Sequence, residues 1–316
     1  MKRFFGVPDH ALTRDRPVLT LGVFDGVHRG HQAVLGEAVR LARECGASAL
    51  VLTFDTHPQT VLAPGSAPPA ITSLEHRLAL FEDLGLDVAA VLPFQASLAQ
   101  RAAEAFVRDL LAATLRVQAV VLGETARFGR DREGGLALLR RLGDDLGFAV
   151  AGVAPVRMDG KPVSSTAVRE AVRCGQLARA ARMLGRPVAL LGTVVPGAGL
   201  GARLRFPTLN LDPHHELRPP GGVYATRTRV GDSIWPSVTN VGHRPTVDAR
   251  TSREVLVESH VLDRDIGELY GQTAEVAFHA FLREEARFED HDALARAIAQ
   301  DVARARDWHA QHAQPG

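Results

Sequence analysis

Four groups of residues in this chain have types and spacings suited to phosphate chemistry. The first is the decapeptide Gly22-Val23-Phe24-Asp25-Gly26-Val27-His28-Arg29-Gly30-His31. Its glycines allow a sharp turn and a close backbone approach to a ligand, and a helix beginning just behind them presents free amides to an anion. His28 and His31, three residues apart on that first turn, can aim both imidazoles at one phosphate and stabilise charge that develops there. The second group is Val163-Ser164-Ser165-Thr166-Ala167-Val168-Arg169. Its consecutive hydroxyls can cap a helix and donate to phosphate, with Arg169 about one turn in. Alone, that segment reads more readily as an ordinary helix cap; its value comes from being paired with the histidine turn in the same domain.

The third group is Phe206-Pro207-Thr208-Leu209-Asn210, preceded by a loop over Gly197 to Gly201. Thr208 and Asn210 are two apart, so in extended backbone both polar groups point to one side. Such hard oxygen ligands suit magnesium, which needs few protein ligands beside phosphate and water; the competing reading is a polar turn around proline. The fourth is Glu258-Ser259-His260, which puts a carboxylate and an imidazole on one strand face. A positioned glutamate there can accept a hydroxyl proton during phosphoryl transfer.

The elements around these groups fall into two patterns. In the first half, apolar runs at Pro17 to Leu21, Ala47 to Phe54, Val88 to Leu92, Val117 to Leu122 and Phe148 to Val153 alternate with helical patterns, such as the stripe Val34, Ala38, Leu41, Cys45. Continuous apolar strands between amphipathic helices predict a doubly wound parallel α/β sheet, with ligands beyond the carboxyl ends of the strands. From about Pro187 strand candidates follow one another directly: Val188 to Val195, Gly222 to Val230, Ile234 to Val241, Glu254 to Leu262 and Thr273 to Leu282. They predict a small antiparallel barrel, closed by a helix carrying Leu294, Ile298, Val302 and Ala305 on one face. Met183-Leu184-Gly185-Arg186-Pro187 reads as the hinge, giving domains over 1–185 and 186–316.

Composition narrows the chemistry. The 316 residues carry 46% hydrophobic and 23% charged side chains with a formal net charge of +1, an ordinary globular mixture without an electrostatic footprint for nucleic acid or acidic membranes. Any anion is held locally. Lys2 and Lys161 are the only lysines beside thirty-five arginines, and Lys161 is followed by proline, so neither a Walker A loop nor a kinase strand lysine is present. Cys45 and Cys174 build no disulfide framework or metal motif and read as small buried hydrophobes. The N-terminal residues lack the apolar core of a signal peptide and no run approaches about 18 apolar residues, so the expectation is a soluble, cytoplasmic protein.

Taken in order, the glycine-histidine turn, the Ser164-Ser165-Thr166 segment ending in Arg169, and the motifs of the second half resemble the bacterial bifunctional riboflavin kinase/FAD synthetase family from about Val18 to Val302. Further matches are Gly222-Val223-Tyr224-Ala225, Asn240-Val241-Gly242 with Pro245-Thr246, Leu269-Tyr270-Gly271, and Arg283 with Glu285 and Phe288. The resemblance implies an HxGH-type nucleotidyltransferase domain that adenylylates FMN with ATP to FAD and pyrophosphate, followed by a β-barrel riboflavin kinase domain that makes FMN from riboflavin and ATP. On it, His28 and His31 hold the ATP phosphates, and Ser164, Ser165, Thr166 and Arg169 grip pyrophosphate. Gly22, Phe24, Asp25, Gly26 and Gly30 shape the nucleotide pocket, Thr208 and Asn210 bind Mg2+ and ATP phosphates, and Glu258 is the base. The partners are then riboflavin, FMN, FAD and ATP, with no nucleic acid and no membrane.

The chain departs from the family pattern at several places. Thr125 and Ala126 stand where the family has a carboxylate or amide and then an aromatic residue, and Thr56 replaces the first proline of a Pro-His-Pro turn. Leu209 replaces an alanine. Before Phe206, Ala202 and Arg205 replace an arginine and a glycine, with Arg203 as the shifted arginine; Arg205 either obstructs ATP or adds a phosphate contact. The alternatives are a chain retaining one of the two activities, or a flavin-binding regulatory protein.

Overall fold

Strand runs in the first half are apolar at every position because both of their faces are covered. The computed structural model describes residues 1–7, 16–197, 206–214, 217–243, 255–264, 266–267 and 269–312. Its residues cluster into two compact units, Met1–Ser165 and Thr166–Gly316. In the first, β1 (Lys2–Phe5), β2 (Val18–Leu21), β3 (Ala49–Phe54), β4 (Val88–Leu92), β5 (Ala119–Gly123) and β6 (Ala149–Val153) form one sheet in the order β1-β4-β3-β2-β5-β6. Every pairing is parallel.

Alternate side chains feed two cores, as the period of two requires. Leu19, Leu21, Leu50 and Leu52 meet the π-helical segment Phe106–Thr114 and the helix Leu136–Leu146 on one face. Val18, Ala49 and Val51 meet α1 (Arg29–Glu44) and α2 (Leu74–Asp83) on the other. The strand order reverses between β2 and β5, which opens a crevice at the carboxyl ends of these strands where ligands of such sheets bind.

The expected strands are present, with starts moved inward by one or two residues where the chain still belongs to a preceding helix. The Ala47 amide bonds the Ala42 carbonyl, that of Val117 the Leu111 carbonyl and that of Phe148 the Gly143 carbonyl. Pro17 has no amide to give to a ladder. The edge strand β1 was not among the expected elements, because only Phe4 and Phe5 follow Lys2 and Arg3 and half of an edge strand's signal is missing. Cys45 and Cys174 are exposed, which corrects the expectation of burial. The buried stripe of α1 is Val34, Leu35, Ala38 and Ala42 rather than one reaching Cys45, since Cys45 already caps the helix.

The second unit opens with helices α3 (Ser165–Arg173, whose first residue closes the first unit) and α4 (Leu177–Leu184). Gly185 ends α4 in the left-handed conformation at φ 73°, and Pro187 precedes the barrel. Strands β9 (Val188–Val195), β10 (Leu209–Pro213), β11 (Gly222–Val230), β12 (Ser233–His243), β13 (Val255–Val261) and β14 (Thr273–Arg283) close a barrel in the order β10-β13-β12-β11-β14-β9. A two-stranded hairpin, β7 (Arg157–Met158) and β8 (Lys161–Pro162), belongs to the first unit. The expected strand candidates of the second half are all found; β10 is additional, hidden in the sequence between Pro207 and Pro213. Helix α5 (His291–Gln311), N-capped by Asp290, lays Val302 and Ala305 against Val223, Ala225 and Val238 of the barrel wall.

Five hydroxyls lie in the barrel interior beside aliphatic groups such as Leu209, Leu211 and Val241. Thr226, Ser237, Thr228, Ser259 and Thr239 form a closed ring with O···O distances of 2.7–3.0 Å, all at most 1% exposed. Each hydroxyl can donate once and accept once around the ring, so no buried polar group is left unpaid.

Candidate active sites

The first site is a strained turn at the carboxyl end of β2. Phe24, Gly26 and Val27 all have positive φ, at 52°, 81° and 38°. For a β-branched valine this backbone is costly, and such strain persists where the surroundings over-determine it. The surroundings do so here: the buried Asp25 carboxylate accepts from the Ile71 and Thr72 amides at 3.0 and 3.1 Å, and the Gly26 amide donates to Thr72 Oγ1 at 2.9 Å. Asp25 therefore fastens the turn to the segment ahead of α2.

That turn delivers two stacked histidines. His28 caps α1, its Nδ1 accepting from the His31 amide at 3.3 Å, and the two rings stack with centroids 3.6 Å apart. Phe24 closes the other side of His31 edge-on at 5.3 Å, and packs over the missing Cβ of Gly22. Gly30 suits the same closeness, since a Cβ there would crowd the His28 ring at 3.1 Å and touch the Val163 carbonyl at an ordinary contact distance of 3.6 Å. Burial, then the neighbouring His28 and Arg77, holds the His31 imidazole well below its ordinary pKa, so it is neutral at physiological pH. Its Nδ1 is buried without a hydrogen-bond partner. A neutral ring with an unsatisfied nitrogen has the chemistry to take a polar contact from a ligand.

The hydroxyl segment reaches this turn. Ser165 Oγ donates to the Asp25 carbonyl at 2.9 Å. Ser164 precedes α3, but Ser165 and Thr166 lie within its first turn rather than ahead of it, and Thr166 is exposed. Arg169 follows one turn along the same helix and is buried. Of the departures from the family pattern, Thr125 is exposed, whereas Ala126 packs against the core of the sheet.

Arg77 is a site residue that sequence reasoning missed. Its buried guanidinium donates to the Val23 carbonyl and to the Phe54 carbonyl at 2.9 Å, tying together the chain ends of β2 and β3. Desolvation lowers its pKa, offset in part by Asp25 and Asp55. The signal was present: Leu74, Arg77, Leu78 and Phe81 lie on one stripe of α2, and an arginine inside such a stripe needs a reason.

The second site is a row across the barrel wall. Asn210 on β10 is in register with Glu258 on β13, and Glu258 with Asn240 on β12. Leu209, Leu211, Ser259, Thr239 and Val241 are buried in the interior, so Asn210, Glu258 and Asn240 face outward together. Asn210 Oδ1 is buried without a hydrogen-bond partner, and a Cβ on Gly197 would overlap the same carboxamide. Thr208 is half-buried in the segment just ahead of β10. His260, two residues from Glu258, donates from Nδ1 to the Pro207 carbonyl at 2.7 Å and meets Phe206 edge-on. It fixes the turn that carries Thr208. The residues Ala202, Arg203, Arg205, Pro245 and Thr246 and most of the Gly197 to Gly201 loop lie outside the described residues.

Residues 11–167 match the FAD synthetase family and residues 184–309 the riboflavin kinase family. The chain is 36% identical over 292 residues to the bifunctional riboflavin kinase/FMN adenylyltransferase of Escherichia coli strain K12, and 38% identical over 291 residues to that of Pseudomonas fluorescens; both alignments cover 92% of each chain. The chain belongs to the bifunctional riboflavin kinase/FMN adenylyltransferase family. A crystal structure described as a macrolide-efflux protein from Streptococcus pneumoniae has the same backbone architecture, with a TM-score of 0.82 at 25% identity, covering 98% of this chain and 100% of that one. In the family's terms, the stacked histidines fall in the FAD synthetase part and the Asn210–Glu258–Asn240 row in the riboflavin kinase part. Among the described residues no helix is long and apolar enough to cross a membrane.

Proposed function

We propose that this enzyme phosphorylates riboflavin with ATP to FMN and then adenylylates FMN with a second ATP to FAD and pyrophosphate. Residues 1–185 are assigned to adenylyl transfer and 186–316 to the kinase; the start of the riboflavin kinase match at 184 supports that boundary, whereas the FAD synthetase match ends at 167 and the compact units divide after Ser165. The observation that carries the reading is the register setting Glu258 beside Asn210 on one outward face, in a chain that also holds the stacked His28 and His31.

In the kinase half, Glu258 takes the proton of the terminal ribityl hydroxyl as its oxygen attacks the γ-phosphorus of ATP and ADP leaves. Asn210 and Thr208 fit Mg2+: the unsatisfied, buried Asn210 Oδ1 is a hard oxygen donor of the kind this ion takes. The ion would supply charge neutralisation on the ATP phosphates. In the adenylyltransferase half, the FMN phosphate attacks the α-phosphorus of ATP directly. His28 and His31 stabilise the charge developing there, while Ser164, Ser165, Thr166 and Arg169 hold the departing pyrophosphate. Gly22, Phe24, Gly26 and Gly30 give the nucleotide its close backbone approach. Asp25 holds the turn through its carboxylate. The partners are riboflavin, FMN, FAD and ATP, in the cytoplasm.

Incubation of the purified protein with riboflavin, ATP and magnesium, followed by chromatographic separation of the flavins, tests the proposal. FMN and FAD should both accumulate, and chelation of the metal should stop the kinase. FMN without FAD would overturn the adenylyl assignment; unchanged riboflavin remaining bound would favour a flavin-binding regulator. Glu258→Gln should lower FMN formation by about 10²–10⁴-fold, the usual weight of a general base, while leaving conversion of supplied FMN to FAD intact.

A further inference from the structure

Two carboxylates stand beside the histidine turn, which on the adenylyltransferase reading has to take up a polyphosphate. Both are tied to backbone. Asp25 accepts from the Ile71 and Thr72 amides, and Asp55, just past β3, accepts from those of Thr56 and Phe94 at 2.7 and 2.9 Å. Neither can swing away, so each keeps a negative charge at a place where an anion must bind, and burial sharpens the repulsion from Asp25. The net charge of +1 on the whole chain does not offset them.

Arg77 is the buried cation within reach of both. Its guanidinium donates to the Val23 carbonyl at the start of the turn and to the Phe54 carbonyl next to Asp55. It also reaches Thr53 Oγ1 at 3.4 Å, and that hydroxyl donates to the same Val23 carbonyl at 3.3 Å. These partners are neutral oxygens. The charge of the guanidinium is therefore balanced across space, by Asp25 and Asp55, which work against its desolvation. The geometry gives Arg77 a second duty. With Phe24 and Val27 at positive φ, the turn keeps its shape only while its neighbours hold it. Asp25 holds the middle and Arg77 the first carbonyl, and both anchors belong to the single stretch from Ile71 to Arg77. Resting on the adenylyltransferase reading given above, we infer that Arg77 is a positioning residue of that reaction: it fixes the start of the histidine turn and cancels the charge of Asp25 and Asp55, so that the turn accepts the ATP phosphates.

Conversion of FMN to FAD reads this site alone. Competitive inhibition against ATP in that assay, by adenosine and by α,β-methylene-ATP, whose α–β bridge does not break, separates charge from shape. In Arg77→Met, Ki for the triphosphate analogue should rise about tenfold, the scale of one unit charge acting near a protein surface, while Ki for adenosine stays within about twofold. The looser turn should also lower kcat about 10²-fold. Arg77→Lys keeps the charge without the planar fork, so it should restore Ki for the analogue and leave kcat low. Asp55→Asn keeps an acceptor for both amides and removes a negative charge; it should tighten the analogue alone, and recover roughly threefold of its affinity when added to Arg77→Met. Equal rises for the two inhibitors, no rise, or a lysine variant that binds the analogue as poorly as the methionine one would overturn the inference. If Arg77→Met does not fold, Arg77→Lys and Asp55→Asn decide it singly: unchanged kcat in the first, or unchanged Ki for the analogue in the second, sinks it. If the wild type makes no FAD, the adenylyltransferase reading fails by itself. Direct titration with the two inhibitors then still decides the role of Arg77, because the kinase site is common to all variants and cancels in the comparison.

Discussion

His28 has two separable duties. Its ring caps α1 through Nδ1 and also stacks on His31 at the mouth of the turn. Asparagine is as good a cap as any residue but offers no imidazole. His28→Asn is therefore expected to leave the urea midpoint within about 0.5 kcal/mol of wild type, while FAD formation from FMN falls by about 10²–10³-fold, the cost of losing a preorganised donor. FMN formation from riboflavin should be unaffected in the same assay. A parallel loss of stability and both activities would mean that His28 matters only for the fold. His31 differs: burial keeps its imidazole neutral, so in the proposed reaction its contribution is that of a dipole and not of a cation.

At the scale of elements, each site is held by hydrogen bonds that tie its elements together. Arg77 ties the ends of β2 and β3, and Asp25 ties the strained turn to the segment before α2. Within the barrel, the hydroxyl ring links β11, β12 and β13, and Ser259 of that ring is the inward neighbour of Glu258 and His260. Ser259→Ala opens the ring and leaves the buried Thr228 and Thr239 hydroxyls each short of one partner. The expected cost is about 1–3 kcal/mol, read from urea unfolding followed by tryptophan fluorescence. Both tryptophans, Trp235 and Trp308, lie in the second unit, so this signal follows the barrel alone. A cost indistinguishable from zero would show that the ring closes over the gap.

For the molecule as a whole, a net charge of +1 leaves phosphate binding to local groups. Acid stability is local too. Burial, with Arg227, His309 and His312 nearby, holds His279 down to about 4, and the ring packs 5.1 Å from Trp308. Its unfolded value is close to 6.5. Above that pH neither state carries the proton. Below it the unfolded chain binds a proton that the native state refuses, so stability falls as pH drops from about 6.5 towards 4. The ring is partly solvated, and screening reduces the effect to the order of 1 kcal/mol. Urea midpoints from tryptophan fluorescence should be lower at pH 5 than at pH 7, and His279→Gln should flatten the difference; an unchanged slope in that variant would assign the acid lability to other groups, His309 first among them.

What the sequence by itself determined was the chemistry and most of the elements. Glycines, histidines and hydroxyls act through short spacings along the chain, and periods of two and 3.6 report burial that neighbouring residues share. On that basis the parallel sheet and the barrel could be read, while the order of the motifs resembled one family and that resemblance implied the roles expected of His28, His31, Asn210 and Glu258. Only the tertiary structure decided what depends on strands distant in sequence. The register that sets Asn210, Glu258 and Asn240 side by side, the clasp of Arg77 and the hydroxyl ring all join residues whose separation along the chain carries no period. The cysteines show the same limit from the other side: their small size suggests burial, but both fall at helix ends, where the chain turns back to solvent.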